Sequence, residues 1–335
     1  MTDDPSRPVR PDRDAVARRR RALRAVAGLH GLAVGDALGS QFFVPAHLGL
    51  LRRRALPPDP WQWTDDTEMA CSVLLVLAEH GEIDQDALAA AFATHHDFDR
   101  GYGPAVNRML RRIRQEDADW RQLSSELFDG QGSWGNGAAM RVAPLGAWFA
   151  DAPERAAEQA ELSAVVTHRH PEAVAGAIAV AVAAALVARD ADPEARVQAA
   201  AGPAGRPDHA EAGGAEAGAR LLDRVLDVVP RSAVHAGLRR AKDMLDFDDV
   251  ATVAAVLGCG RRTSAHDTVP FALWAAARHL GAFEEALWNT LQAGGDVDTT
   301  GAIVGGVVAV SAGGAPPEPW TRRTEVLPSW MPALV

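Results

Sequence analysis

Two cysteines and one tyrosine in 335 residues, with aromatics at 6%, leave little covalent or aromatic framework to build on. Cys71 and Cys259 both lie in apolar surroundings and are expected to be reduced thiols, which excludes a disulfide-stapled fold. Runs of Val, Ile, Thr and Tyr alternating at period two are scarce, which argues against a sheet-built fold. No signal-peptide pattern and no uninterrupted apolar run of about 18 residues stands out, so no membrane association is expected and the cytoplasm is the expected compartment. Positive charge is also lacking: 34 Lys and Arg face 44 Asp and Glu, for a net charge of -10 and a pI near 5.6. That balance excludes a surface that coats nucleic acid, and no stable nucleic-acid binding is expected, although a local pocket can still hold a phosphate.

The chain does hold abundant Ala and Gly, with 47% hydrophobic residues in short amphipathic stretches at helical spacing. An all-α fold follows. Residues 1–13, with three prolines and many charges, read as a disordered tail, and residues 14–335 as a single domain. Residues 190–216, poor in periodicity, read as a surface loop rather than a boundary, because the acidic cluster beyond them has to return to the one before them.

Those clusters are Trp63-Thr64-Asp65-Asp66-Thr67 and Gly295-Asp296-Val297-Asp298-Thr299-Thr300, each opening an apolar helix. Capping is the plain account, and Asp65 and Glu68 have capping-box spacing. One acid suffices for a cap, however, and each cluster brings two acids with hydroxyls beside them. Four acids and several Thr oxygens brought to one point describe a two-ion site, and oxygen-only donors suit Mg²⁺ or Mn²⁺ rather than zinc. Asp36, inside the first packed segment among Gly28, Gly31, Gly35 and Gly39, reads either as a hydrogen-bonded structural acid or as a partner supporting the metal ligands.

Residues 128–141 place Gly130, Gly132, Gly135 and Gly137 around Trp134 and Asn136. That composition describes backbone N–H groups open to an anion with an aromatic face nearby, and it matches neither the P-loop nor the dinucleotide fingerprint. Thr167-His168-Arg169-His170-Pro171 precedes a long Ala/Val helix with Pro171 in its first turn. Paired histidines invite a metal reading, but one polar His at a pocket wall is the simpler role.

Taken in order, Gly35-Asp36-Ala37-Leu38-Gly39, Trp63-Thr64-Asp65-Asp66-Thr67, Arg100-Gly101-Tyr102-Gly103, Gly132-Ser133-Trp134-Gly135-Asn136-Gly137 with Met140-Arg141, Thr167-His168 and Gly295-Asp296-Val297-Asp298-Thr299 resemble the ADP-ribosylglycohydrolase family, especially its branch acting on ADP-ribosylated serine. The resemblance implies a single compact, orthogonal multi-helix domain around a central binuclear site. Thr64, Asp65, Asp66, Asp296, Asp298 and Thr299 would hold two Mg²⁺ or Mn²⁺ ions, with Asp65 and Asp298 as the catalytic carboxylates. It further implies that the diphosphate of ADP-ribose rests on Gly101, Gly103 and the loop of Ser133, Trp134, Gly135, Asn136 and Gly137. Adenine would stack on Trp134 and Phe128, with His168 near the ribose beside the metals. The implied reaction is hydrolysis at the anomeric carbon of the distal ribose, releasing ADP-ribose from a modified protein, nucleic acid or metabolite.

One departure stands out. Where the family carries a Glu shortly after the Gly-Asp-Ala-Leu-Gly run, this chain reads Ser40-Gln41-Phe42-Phe43-Val44, with Phe43 at the equivalent place. Gln41 can orient water but cannot exchange a proton near neutral pH. Three readings stay open: a water activated without that Glu, another acid such as Asp65 or Asp36 in its place, or ADP-ribose binding without turnover.

Overall fold

The structure, a computed structural model, describes residues 13–192 and 214–334. The expected tail therefore lies outside the described residues apart from Arg13, as does most of the expected 190–216 loop. The chain is 67% helical, with no strand and two isolated bridges among the described residues.

In chain order the α-helices are α1 (Arg13–Ser40), α2 (Leu48–Leu51), α3 (Asp65–His80), α4 (Gln85–His95), α5 (Pro104–Glu116), α6 (Trp120–Glu126), α7 (Ala143–Trp148) and α8 (Pro153–Val165). They continue as α9 (Pro171–Ala191), α10 (Gly214–Leu226), α11 (Ala233–Asp243), α12 (Val250–Leu257), α13 (Ala265–Arg278), α14 (Phe283–Gln292), α15 (Val297–Ala309) and α16 (Glu318–Thr321). One hydrophobic core runs through them, built largely of Ala, Val and Leu.

Its axis is the close packing of α1 on α15. A Cβ on Gly35 would run into the Gly301 carbonyl, and one on Gly305 into the Gly31 carbonyl, so only glycine lets these backbones touch. The same contact continues to Gly39, which rests on Val297 and Asp298. The end of α1 is thereby pinned beside the acidic start of α15.

The Ala/Val helix α9 is by length and composition apolar enough to cross a membrane, which the run-length reading of the sequence did not register. Within the fold 83% of its apolar window is buried, against α7, α8 and α13. The sequence also underestimates α13. Pro270 reads as a helix start, yet the helix begins five residues earlier and carries Pro270 inside it. Gly237 of α11 leaves space for the proline ring, since a Cβ there would stand 2.5 Å from its Cγ.

Candidate functional site

The two acidic clusters meet where the N-termini of α3 and α15 converge beside α1. Asp36 on α1 is wholly buried and accepts four hydrogen bonds: from Thr64 N at 2.9 Å, Thr64 Oγ1 at 2.8 Å, Thr67 N at 3.1 Å and Thr67 Oγ1 at 2.5 Å. Burial pushes its carboxyl up and these donors pull it back, leaving it at about 6. With every donor around it committed, Asp36 is a structural acid that orients Thr64 and Thr67. It is not placed to exchange protons with a ligand, which removes one of the replacements for the missing Glu.

The capping-box reading is corrected. Thr64 is the N-cap of α3, its hydroxyl 3.5 Å from Asp66 N, and Asp65 is the first helical residue. Glu68 instead turns away, accepting from Tyr102 Oη at 2.6 Å and Asp97 N at 3.1 Å. At α15, Asp296 occupies the cap position without making a side-chain cap bond. Its carboxylate takes Asn136 Nδ2 at 2.7 Å. Capping therefore does not explain the acids.

Their electrostatics point the other way. Asp65 is raised to about 8, by burial first and then by Asp36, Asp296 and Glu68. Asp66 and Asp298 are raised well above the usual carboxylate range, again by burial first, with Asp36 and Asp296 among the repelling charges. Asp66 Oδ1 is buried with no partner. Asp298 Oδ1 accepts the N–H of Thr299 at 2.8 Å, and its side chain also meets that of Asp296. Such crowding of like charge is what a divalent cation relieves. Among the described residues no group of three or more acids, His or Cys is placed to hold a metal ion as the side chains stand. The orphaned Asp66 oxygen and the all-oxygen donor set nonetheless fit hard cations.

Against this cluster lies the Gly101 loop. Gly101 is left-handed at φ 94°, and a Cβ there would stand 3.7 Å from Asp65 Oδ1. Arg100 stacks over Trp63 at 3.4 Å, donates to its carbonyl at 3.0 Å and forks onto Glu325 at 2.7 and 2.9 Å. Glu325 N in turn donates to Trp61 O at 2.8 Å. The chain's last segment thus straps the lead-in to the first acidic cluster and the Gly101 loop into one body. Sequence reasoning missed Glu325, because its partner lies 225 positions away and nothing local marks it.

The second loop differs in part from its expected use. Asn136, expected on the diphosphate, holds Asp296 and Thr268 with its amide. Two of the loop's N–H groups are already spent, Gly135 N on Ser133 Oγ at 3.2 Å and Asn136 N on Thr263 O at 3.1 Å. Phe128 and Trp134 are exposed with ring centroids 5.1 Å apart, and His170 meets Trp134 edge-on at 5.7 Å. Phe128 and Asp129 hold left-handed backbone conformations at φ 54° and 57°, a local strain that presents this aromatic pair at the surface. His170 Nδ1 also accepts from Glu172 N at the start of α9, which accounts for the second histidine.

His168 is buried behind the loop. A Cβ on Gly137 would stand 3.0 Å from its Nε2 and one on Gly135 3.1 Å, so these glycines make room for an imidazole as well as for a ligand. Burial, then Arg141, lowers His168 to about 3, so the ring is neutral. Phe43 is exposed and does not close the pocket. Its neighbour Phe42 is the buried one, packed on Trp288, and Gln41 Nε2 donates to Ser40 Oγ at 3.3 Å. No carboxylate is delivered from this turn.

An all-α fold with oxygen-donor acids at converging helix starts and a Gly-rich loop tied to them defines a class of ligand-processing proteins rather than a structural bundle. The chain belongs to the ADP-ribosylglycohydrolase family, whose model matches residues 17–335. It is 27% identical over 328 residues to the ADP-ribosylhydrolase ARH3 of Homo sapiens, covering 89% of this chain and 88% of that protein. It is 31% identical over 159 residues to the ADP-ribosyl-[dinitrogen reductase] glycohydrolase of Rhodospirillum rubrum, covering 44% of this chain and 52% of that one. A solved structure described as an ADP-ribosylglycohydrolase-related protein complex shares the fold, with a TM-score of 0.56 at 24% identity over 92% of this chain and 94% of that one.

Proposed function

We propose that the chain, acting as one cytoplasmic unit over residues 14–335, hydrolyses the bond between an acceptor and the anomeric carbon of ADP-ribose. The observation that carries this reading is the bond from Asn136 to Asp296, which couples the aromatic, Gly-rich loop to the acid cluster in one site. Thr64, Asp65, Asp66, Asp296, Asp298 and Thr299 are the residues that would hold two Mg²⁺ or Mn²⁺ ions. When bound, such ions supply Lewis acidity for ribose hydroxyls and water.

The chain's own residues do the rest. Trp134 and Phe128 offer faces for adenine, Ser133 and the backbone of Gly101, Gly103, Gly135 and Gly137 line the path of the diphosphate, and His168 offers an uncharged hydrogen bond behind it. Carboxylates of Asp65 and Asp298 face the reacting carbon and stabilise its oxocarbenium-like charge. Asp65, raised to about 8, holds a proton near neutral pH in the ion-free chain. Bound ions would hold Asp65 ionised, so of the three readings left open by the absent Glu we take a water activated by the ions themselves.

The test is release of ADP-ribose from serine-, arginine- and base-linked substrates with Mg²⁺, with Mn²⁺ and with EDTA. Release that EDTA stops is expected, and Asp66→Asn should abolish it. The exposed Phe43, where a Glu would sit, favours a second reading: an ADP-ribose binder without turnover. Tight binding of ADP-ribose by calorimetry with no release from any of the three linkages would establish that reading and end the first.

A further inference from the structure

Behind the ligand loop, Arg141 is fully buried, and its partners are a hydroxyl, a carbonyl, a thioether and a ring rather than a carboxylate. Nη1 donates to Thr167 Oγ1 at 3.0 Å, Nη2 donates to Ser163 O at 2.8 Å, Met69 Sδ is 3.6 Å away and the Phe92 ring lies 4.6 Å from the guanidinium carbon. Thr167 Oγ1 is also 2.7 Å from His168 Nδ1. Hydrogen-bond direction then settles the imidazole. A guanidinium only donates, so Thr167 accepts from Arg141, and its single hydroxyl proton is left for His168 Nδ1. The opposite assignment, with Nδ1–H donating to Thr167, would strand the threonine proton in a buried site, since the hydroxyl's other partner, Arg141, only donates, and folded proteins seldom tolerate such a stranded donor. The remaining imidazole proton sits on Nε2, the nitrogen facing Gly135 and Gly137.

We propose that Arg141 and Thr167 are positioning residues that fix His168 as a neutral Nε2–H donor, so that the pocket wall takes a hydrogen-bond acceptor of the bound nucleotide at that point. The part concerning the nucleotide rests on the function proposed above; the tautomer does not. Charge neutralisation of the ligand is left to the cation site, and His168 contributes direction.

The experiment uses the full chain labelled with ¹⁵N at histidine, with long-range proton–nitrogen correlation and His168→Gln to assign the ring. A pyridine-like Nδ1 and a pyrrole-like Nε2 are expected, unchanged between about pH 6 and 8. Thr167→Val should mix the tautomers and weaken ADP-ribose binding by calorimetry about five- to tenfold, and Thr167→Ser should restore both. A wild-type His168 protonated on Nδ1 overturns the proposal without need of any variant, and so does a folded Thr167→Val that keeps the wild-type tautomer and affinity. The expected tautomer in a protein that binds no ADP-ribose would instead count against the proposed function while leaving the relay in place.

Discussion

The two acid pairs look alike in sequence and are held in opposite ways. Asp65 and Asp66 stand on α3, whose first turn is anchored from behind by Asp36, a carboxylate saturated by Thr64 and Thr67. Asp298 stands in the first turn of α15 and Asp296 at its cap position, where Asp296 is held by Asn136 of the Gly-rich loop. One half is anchored by the scaffold helix α1 and the other by the Gly-rich loop. A displacement of the loop therefore reaches the proposed cation site through Asp296, whereas the first pair stays put.

That contrast can be broken most forcefully at Asp36. Asp36→Asn places an NH₂ against donors and should cost on the order of 3 kcal/mol in urea unfolding, along with Mn²⁺ affinity. Undiminished stability would mean that the scaffold does not depend on it. Asn136→Ala should do the reverse, lowering Mn²⁺ affinity roughly 10- to 100-fold in titration calorimetry while leaving thermal unfolding within a few degrees of wild type. A large stability loss with intact Mn²⁺ affinity would erase the distinction between the halves. Glu325→Gln, which loosens Arg100 from a partly exposed pair, should raise KM for the ADP-ribosylated substrate about threefold with little change in kcat. A fall in kcat alone would place the strap in the chemistry rather than in ligand positioning.

The smallest expected effect is on pH. A carboxyl raised in the folded state binds more protons there than in the unfolded chain, so the stability it contributes is present below about pH 4 and is lost as pH rises to about 8. Without divalent ions, thermal midpoints should fall by a few degrees between about pH 5 and 8, and Asp65→Asn should flatten that slope. A midpoint that climbs over this range would show that Asp65 is not the raised acid.

Much of this was legible in the chain. Spacing marks α3 and α9 closely, and the glycines of α1 and α15 announce a close approach because only a missing Cβ permits it. The doubled acids exceed what a cap needs, and neither pair's acids serve as one. Less was legible in the loops. The resemblance places Asn136 on the diphosphate, yet its amide turns to Asp296, 160 residues on. The early start of α13 was hidden by Pro270, whose tolerance depends on a glycine in another helix.

The sequence by itself determined the helical class, the acid pairs, the Gly-rich loop and the absence of a Glu near Phe43, since each is a matter of residue type at short spacing. Only the tertiary structure decided that Asp36 is spent on α3, that Asn136 and Glu325 tie loops to the cluster, and that Arg141 sets the proton on His168. Those are contacts across 26 to 225 positions. Their direction depends on which donor meets which acceptor once the backbone has closed, and local spacing carries no record of that.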